Sequence, residues 1–236
     1  MRNGVDTEPV FPPLLSGEEA PPGTDPFDKA VAAALIDCDS GHIVWSRRPD
    51  RMTAAIVLAP EAPLAEAISI VFAVSLGFGD ALGALGPPEL AVHYSWPDGI
   101  LVNGAQAGIL RAATATDDVD TPPDWLVVGL DIALMPEGEG GDDPSQTCLY
   151  AEGCAEIPPV TLLESWSRHM LVWINTWLED GLAPLHAAWR ERAWGMGEDL
   201  PDGSGLFVGL DEWGGQLVKT DATTLVRPLT KLVERS

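Results

Sequence analysis

The sequence predicts an α+β fold: a mixed, mostly antiparallel sheet with helices, followed by a small C-terminal β unit. Three observations lead there. Over 161–179 the apolar residues Leu163, Trp166, Met170, Trp173, Ile174 and Trp177 recur with a 3.6-residue period, while Glu164, Ser167, Arg168 and Asn175 fall on other faces. Between 90 and 134, short apolar runs alternate with acidic or proline-containing turns, as in a meandering sheet. Beyond the turn-rich run 195–205 come three more short runs, 206–210, 215–220 and 224–228, which form a separate β unit.

The elements follow in order. Residues 1–24 are rich in Pro and Gly with few periodic apolar positions, and read as an extended arm. Asp25 can cap a helix with Pro26 at its first position, and Phe27, Ala30, Val31 and Ala34 then share one face. Runs 41–45 and 54–59 are joined by Arg47-Arg48-Pro49-Asp50-Arg51 and make a hairpin. A long apolar stretch, 63–85, is broken by Glu66 and Asp80 and predicts a buried helix rather than a membrane span. Strands are expected over 90–94, 100–102, 104–114 and 126–134, then the amphipathic helix and a short one over 184–194. The expected units are the arm 1–24, a main domain 25–195 and a terminal β domain 196–236.

Composition narrows the function. With a formal charge of −23, the surface repels phosphodiester backbones and anionic lipid, so neither nucleic acid nor membrane is an expected partner. Acidic runs such as Glu18-Glu19 and 137–143 read as solvated loops. The N-terminal stretch has no apolar segment of signal-peptide length, which predicts a cytoplasmic protein. Cys38, Cys148 and Cys154 lack metal-ligand spacing, so no structural metal is expected, and a reducing compartment leaves them as thiols. The lone histidines His93, His169 and His186 read as packing or surface residues.

Three ordered segments carry a family signal: Ser95-Trp96-Pro97-Asp98-Gly99, Ala105-Gln106-Ala107-Gly108-Ile109-Leu110 and Val128-Gly129-Leu130-Asp131-Ile132-Ala133. They resemble the K-W-P-N-D, K-x-x-G-I-L and I-G-x-G-I-N motifs of the biotin/lipoate protein ligase family. Gly181-Leu182-Ala183-Pro184 and Trp189-Arg190 resemble that family's closing helices, and the β tail resembles its SH3-like end. The resemblance covers about 25–236 and implies the class II synthetase-like fold. It also implies a carboxylic-acid ligand (biotin, lipoate or octanoate) or its adenylate, ATP and Mg as co-reactants, and an acyl-acceptor protein as partner.

The departures from the family lie at charged positions. Ser95 and Ala105 stand where the first two motifs have lysine, and no lysine occurs between Lys29 and Lys219. Losing such a cation commonly removes about 3 kcal/mol of transition-state stabilisation, two to three decades in rate. The family's G-R-G-R-x-G-R loop is replaced by Trp45-Ser46-Arg47-Arg48-Pro49-Asp50-Arg51, and Ala133 replaces the third motif's Asn.

The candidate ligand-binding residues are therefore Arg47, Arg48, Arg51, Trp96, Pro97, Asp98, Gly108 and Ile109. Three arginines within five positions can hold a carboxylate or phosphate, or can pair with neighbouring acids. Trp96-Pro97-Asp98 makes either a pocket wall or a packed corner, and Gly108 admits either a ligand or a neighbouring strand. Asp131, in an apolar strand, is either a ligand or metal contact or an outward-facing residue. The function classes that follow are a ligand-binding relative of the ligases, a non-catalytic interaction scaffold, and an acyl transferase using arginine in place of lysine.

Overall fold

The computed structural model describes residues 8–136 and 143–234; the first seven residues and most of the acidic run at 137–143 lie outside the described residues. An eight-stranded sheet organises the chain. Its strands are β1 (Ser16–Glu19), β2 (His42–Trp45), β3 (Arg51–Leu58), β4 (Val92–Ser95), β5 (Gly99–Val102), β6 (Ala105–Thr114), β7 (Leu126–Ala133) and β11 (Val233–Glu234). In space they run β1-β2-β3-β7-β6-β5-β4, with β11 on β6. β1 on β2 and β11 on β6 are parallel pairs, and the others are antiparallel. A second, three-stranded antiparallel sheet holds β8 (Leu206–Leu210), β9 (Gln216–Lys219) and β10 (Thr224–Arg227). The architecture is α+β with a small C-terminal β unit.

Alternation along the strands divides the core in two. Ile43, Trp45, Met52, Ala54, Ile56, Val128, Leu130 and Ile132 face one buried cluster, and Val44, Ala55, Val57 and Val127 face another. The larger cluster is closed by α3 (Val71–Leu85), α4 (Pro159–Asp180) and α5 (Leu182–Glu191). The smaller is closed by α1 (Pro26–Ala34) through Phe27, Ala30 and Ala34. Helix α1 starts as its sequence dictates: the Asp25 carboxylate accepts from the Phe27 N–H at 2.8 Å, with Pro26 at the first position.

The stretch 63–85 is the innermost helical segment. It begins as the short helix α2 (Leu64–Ala67), tightens into a 3-10 turn at Ile68–Ile70 and continues as α3. Leu64–Leu85 is long and apolar enough to cross a membrane, with a mean hydropathy of 1.9 over an 18-residue window, but 78% of that window is buried inside this fold. A helix apolar all round needs cover on every side, and α4 supplies much of it. The tryptophan stripe of α4 lies against this segment, and each indole N–H has a partner there: Trp166 on the Val74 carbonyl, Trp173 on the Asp80 carboxylate and Trp177 on the Ser69 hydroxyl. Gly181, at φ 75°, ends α4 in a backbone conformation that favours glycine and lets α5 turn away.

Two strands carry no signal in the sequence. Ser16–Glu19, within the stretch expected as an arm, consists of four exposed residues and is a strand through its backbone pairing with β2. Val233–Glu234 is a strand because Leu229 and Leu232, in a 3-10 turn just before it, are buried in the main core and bring it to β6. Phe207 and Leu210 of the small sheet belong to that same core cluster.

Candidate functional site

Beyond the end of α1, the face of the sheet opposite the helical layer presents a row of residues set by strand register. Thr53 on β3 lies beside Asp131 on β7, which lies beside Ile109 on β6, which lies beside Gly99 on β5. Arg51 is the first residue of β3, not part of the turn, and being two positions from Thr53 it projects to this same face. Its Nε donates to the Asp131 carboxylate at 2.8 Å, with both side chains roughly a quarter exposed, 22% and 31%. The Ser46 and Thr53 hydroxyls hydrogen-bond next to them.

One step along the same face, Phe27 of α1 covers Gly129; a Cβ on that glycine would come within 2.6 Å of the ring. The Arg111 guanidinium lies 4.1 Å from the centre of that ring and donates to Asp25 at 2.8 Å and Asp28 at 3.4 Å. The face thus carries two guanidinium–carboxylate groupings in succession. Phe27, Thr53 and Arg111 were not singled out from the sequence as site residues, although the period-2 alternation Arg51/Thr53 and Ile109/Arg111 carries the signal.

The hairpin arginines do not converge. Arg47 is held by Glu19 at 2.8 Å and Glu8 at 3.2 Å, and its guanidinium lies 5.1 Å from the Trp45 ring centre. Arg48 pairs with Asp50 and holds that carboxyl below the usual carboxylate range. Both arginines border a cavity of about 140 Å³ whose wall includes Trp45, Met52, Pro159 and Leu163. Trp45 and Met52 face the helical side of the sheet, and Ser46 and Thr53, the neighbours of the Arg51–Asp131 pair, also line this cavity.

Trp96 turns into the protein. Its indole N–H donates to the Gly214 carbonyl at 3.0 Å, its ring packs on the main core, and the Trp96–Pro97 peptide is cis. Asp98 lies in the tight connection between β4 and β5, where burial pushes its carboxyl above the usual range and its own backbone N–H draws it partly back. Its carbonyl accepts from the Leu110 N–H at 2.8 Å, tying this turn to β6. Gly108 serves the sheet: a Cβ there would lie 2.6 Å from the Asp131 carbonyl oxygen and against the Ile132 side chain. The structure therefore brings Arg51, Asp131 and Ile109 together, sets Asp98 at the end of the neighbouring strand, and leaves Arg47, Arg48 and Trp96 elsewhere.

Ser95 ends β4 and Ala105 begins β6, neither carrying charge. Gly129 matches the first glycine of I-G-x-G-I-N, whereas Asp131 stands at the second. Among the described residues, no group of three or more His, Cys, Asp and Glu side chains is arranged to hold a metal ion. Arg51 and Arg111 on this face are already paired with Asp131, Asp25 and Asp28, which does not fit a bound triphosphate that requires excess positive charge.

Comparison with known proteins agrees with the fold. The sequence pattern of the Biotin/lipoate A/B protein ligase family matches residues 11–191. A biotin--[acetyl-CoA-carboxylase] ligase of Paracoccus denitrificans is 24% identical over 198 residues, 80% of this chain and 82% of that protein. A biotin protein ligase-like protein of unknown function from Silicibacter sp. superposes with a TM-score of 0.91 at 50% identity, over 97% of this chain and all of that one. The biotin protein ligase of Aquifex aeolicus, in complex with biotin and ATP, superposes with a TM-score of 0.69 over 91% of this chain and 94% of that one; at 15% identity this likeness concerns the fold.

Proposed function

We propose, from the premise that the chain belongs to the Biotin/lipoate A/B protein ligase family, that it binds a carboxylic acid of the biotin, lipoate or octanoate type, or the corresponding acyl-adenylate, over the open sheet face at Arg51. The observation that carries this reading is the Arg51 guanidinium on that face, already engaged with a carboxylate, beside the strand of the third motif. A guanidinium fork matches a carboxylate in shape and charge and stays charged at any physiological pH. Ile109 offers an apolar surface for the body of such a ligand, and the Ser46 and Thr53 hydroxyls offer polar contacts.

Lysine-dependent acid activation is not part of this reading. Ser95 and Ala105 supply no charge to a pentavalent phosphate, so the protein's task is holding the acid or its adenylate, in the cytoplasm, for delivery to an acceptor protein. One observation favours a second reading, a non-catalytic interaction scaffold: Arg47, Arg48 and Arg51 are each held by an acid of the chain itself.

A thermal-shift series with biotin, lipoate, octanoate and their adenylates separates the two, because a ligand selective for the native state raises its midpoint. At millimolar ligand a rise is expected for at least one acid or adenylate; an unchanged midpoint for all of them leaves the scaffold. Pyrophosphate exchange with the same acids is expected to stay at background, and clear exchange would point instead to an acyl transferase using arginine.

A further inference from the structure

Asp131 has no counterpart in the third motif, where a glycine stands, and its carboxylate is chemically the same group that the proposed ligand presents. It lies in register between Thr53 and Ile109, on the open face, with Oδ1 2.8 Å from the Arg51 Nε. We propose that Asp131 is an internal competitor for the ligand: by holding Arg51 across the sheet it keeps the site in a self-occupied state and sets which acids can enter. This inference rests on the reading of Arg51 as the carboxylate-binding residue.

Three features support it. First, Asp131 and Arg51 sit on neighbouring strands of the rigid sheet, so the competing carboxylate is always at hand and a free acid must displace it at high effective concentration. Second, displacement leaves two carboxylates beside one guanidinium, a like-charge contact that an incoming anion meets on entry. Third, the pair is a quarter exposed rather than sealed, so it is open to exchange with solvent and solute. Ligands that bring a second cation or a hydrogen-bond donor for the released Asp131 enter most easily; simple monocarboxylates enter least easily.

The test is calorimetric titration of biotin and octanoate into the full-length wild type, Asp131→Gly, Asp131→Asn and the double variant Asp131→Asn/Arg51→Met. Asp131→Gly removes the competitor outright, while Asp131→Asn keeps side-chain size and backbone preference and carries the test if the glycine variant folds poorly. The expected result is binding about tenfold tighter in the single variants for at least one acid, with the gain lost in the double variant. Wild-type binding that neither single variant improves overturns the competitor and leaves the carboxylate site standing. A gain that survives Arg51→Met also overturns it, because the gain then does not run through Arg51. Absence of binding in all four proteins removes both the competitor and the site.

Discussion

Gly77 of α3 lies directly on the backbone of Met170 in α4: a Cβ on Gly77 would come 2.7 Å from both the Met170 Cα and its backbone nitrogen. The two helices at the centre of the fold meet main chain to main chain at this point, and no flexible side chain is available to yield. Gly77→Ala is expected to destabilise the protein by about 1–3 kcal/mol, even though alanine is intrinsically the better helix former by about 1 kcal/mol. Urea denaturation checks this, with a lowered midpoint and an unchanged slope as the expected outcome.

Asp80 joins three elements. It accepts from the Trp173 indole at 2.7 Å and from Arg192 at 2.8 Å, and Arg192 donates in turn to the Tyr94 hydroxyl at 3.2 Å. Asp80→Ala leaves a guanidinium and an indole N–H without their acceptor. Because the ion pair is partly exposed, the expected loss is about 2 kcal/mol, below that of breaking a sealed pair. Asp80→Asn keeps an acceptor oxygen and is expected to lose less; thermal melts of the two variants rank them.

The half-buried Asp98 gives a pH signature. Burial raises its carboxyl, so the native state binds that proton more tightly than the unfolded chain does. The cost of holding the charge is present above the folded pKa and absent below the unfolded one. Asp98→Asn is therefore expected to be more stable than wild type near pH 8, with the advantage shrinking as pH falls to about 4. Denaturant melts at the two pH values measure the difference, and an advantage that grows on acidification would contradict the assignment.

Phe27 carries more than its own burial. It covers Gly129, anchors α1 in the smaller core and supports the Arg111 guanidinium. Phe27→Ala is expected to cost about 3 kcal/mol and to loosen α1 before the rest of the sheet. Hydrogen exchange of the α1 amides against those of β7 tests that order.

Much of the fold was legible because its signals are local. Asp25-Pro26 marks the start of α1, the tryptophan stripe marks α4, and alternating apolar residues mark β6 and β7. The site was less legible because it is made by register. Arg51 and Asp131 are eighty positions apart, and only the pairing of β3 with β7 sets them side by side. The three clustered arginines looked like one feature, yet nearby acids hold Arg51 on Asp131 and hold Arg47 and Arg48 at the rim of a cavity. Trp96 likewise reads as a pocket wall until Gly214, more than a hundred residues on, supplies the carbonyl that draws it inward.

On one edge β6 serves two partners: β5 pairs along Ala105–Ile109, and β11 takes up Ala112 and Ala113. A chain shortened before Leu229 would lose that second partner together with the Leu229 and Leu232 anchors, baring backbone donors and acceptors in the middle of an apolar sheet. Such an unclaimed edge is a template for strand addition from a neighbouring molecule, so the last few residues act as a guard against aggregation as much as a part of the core.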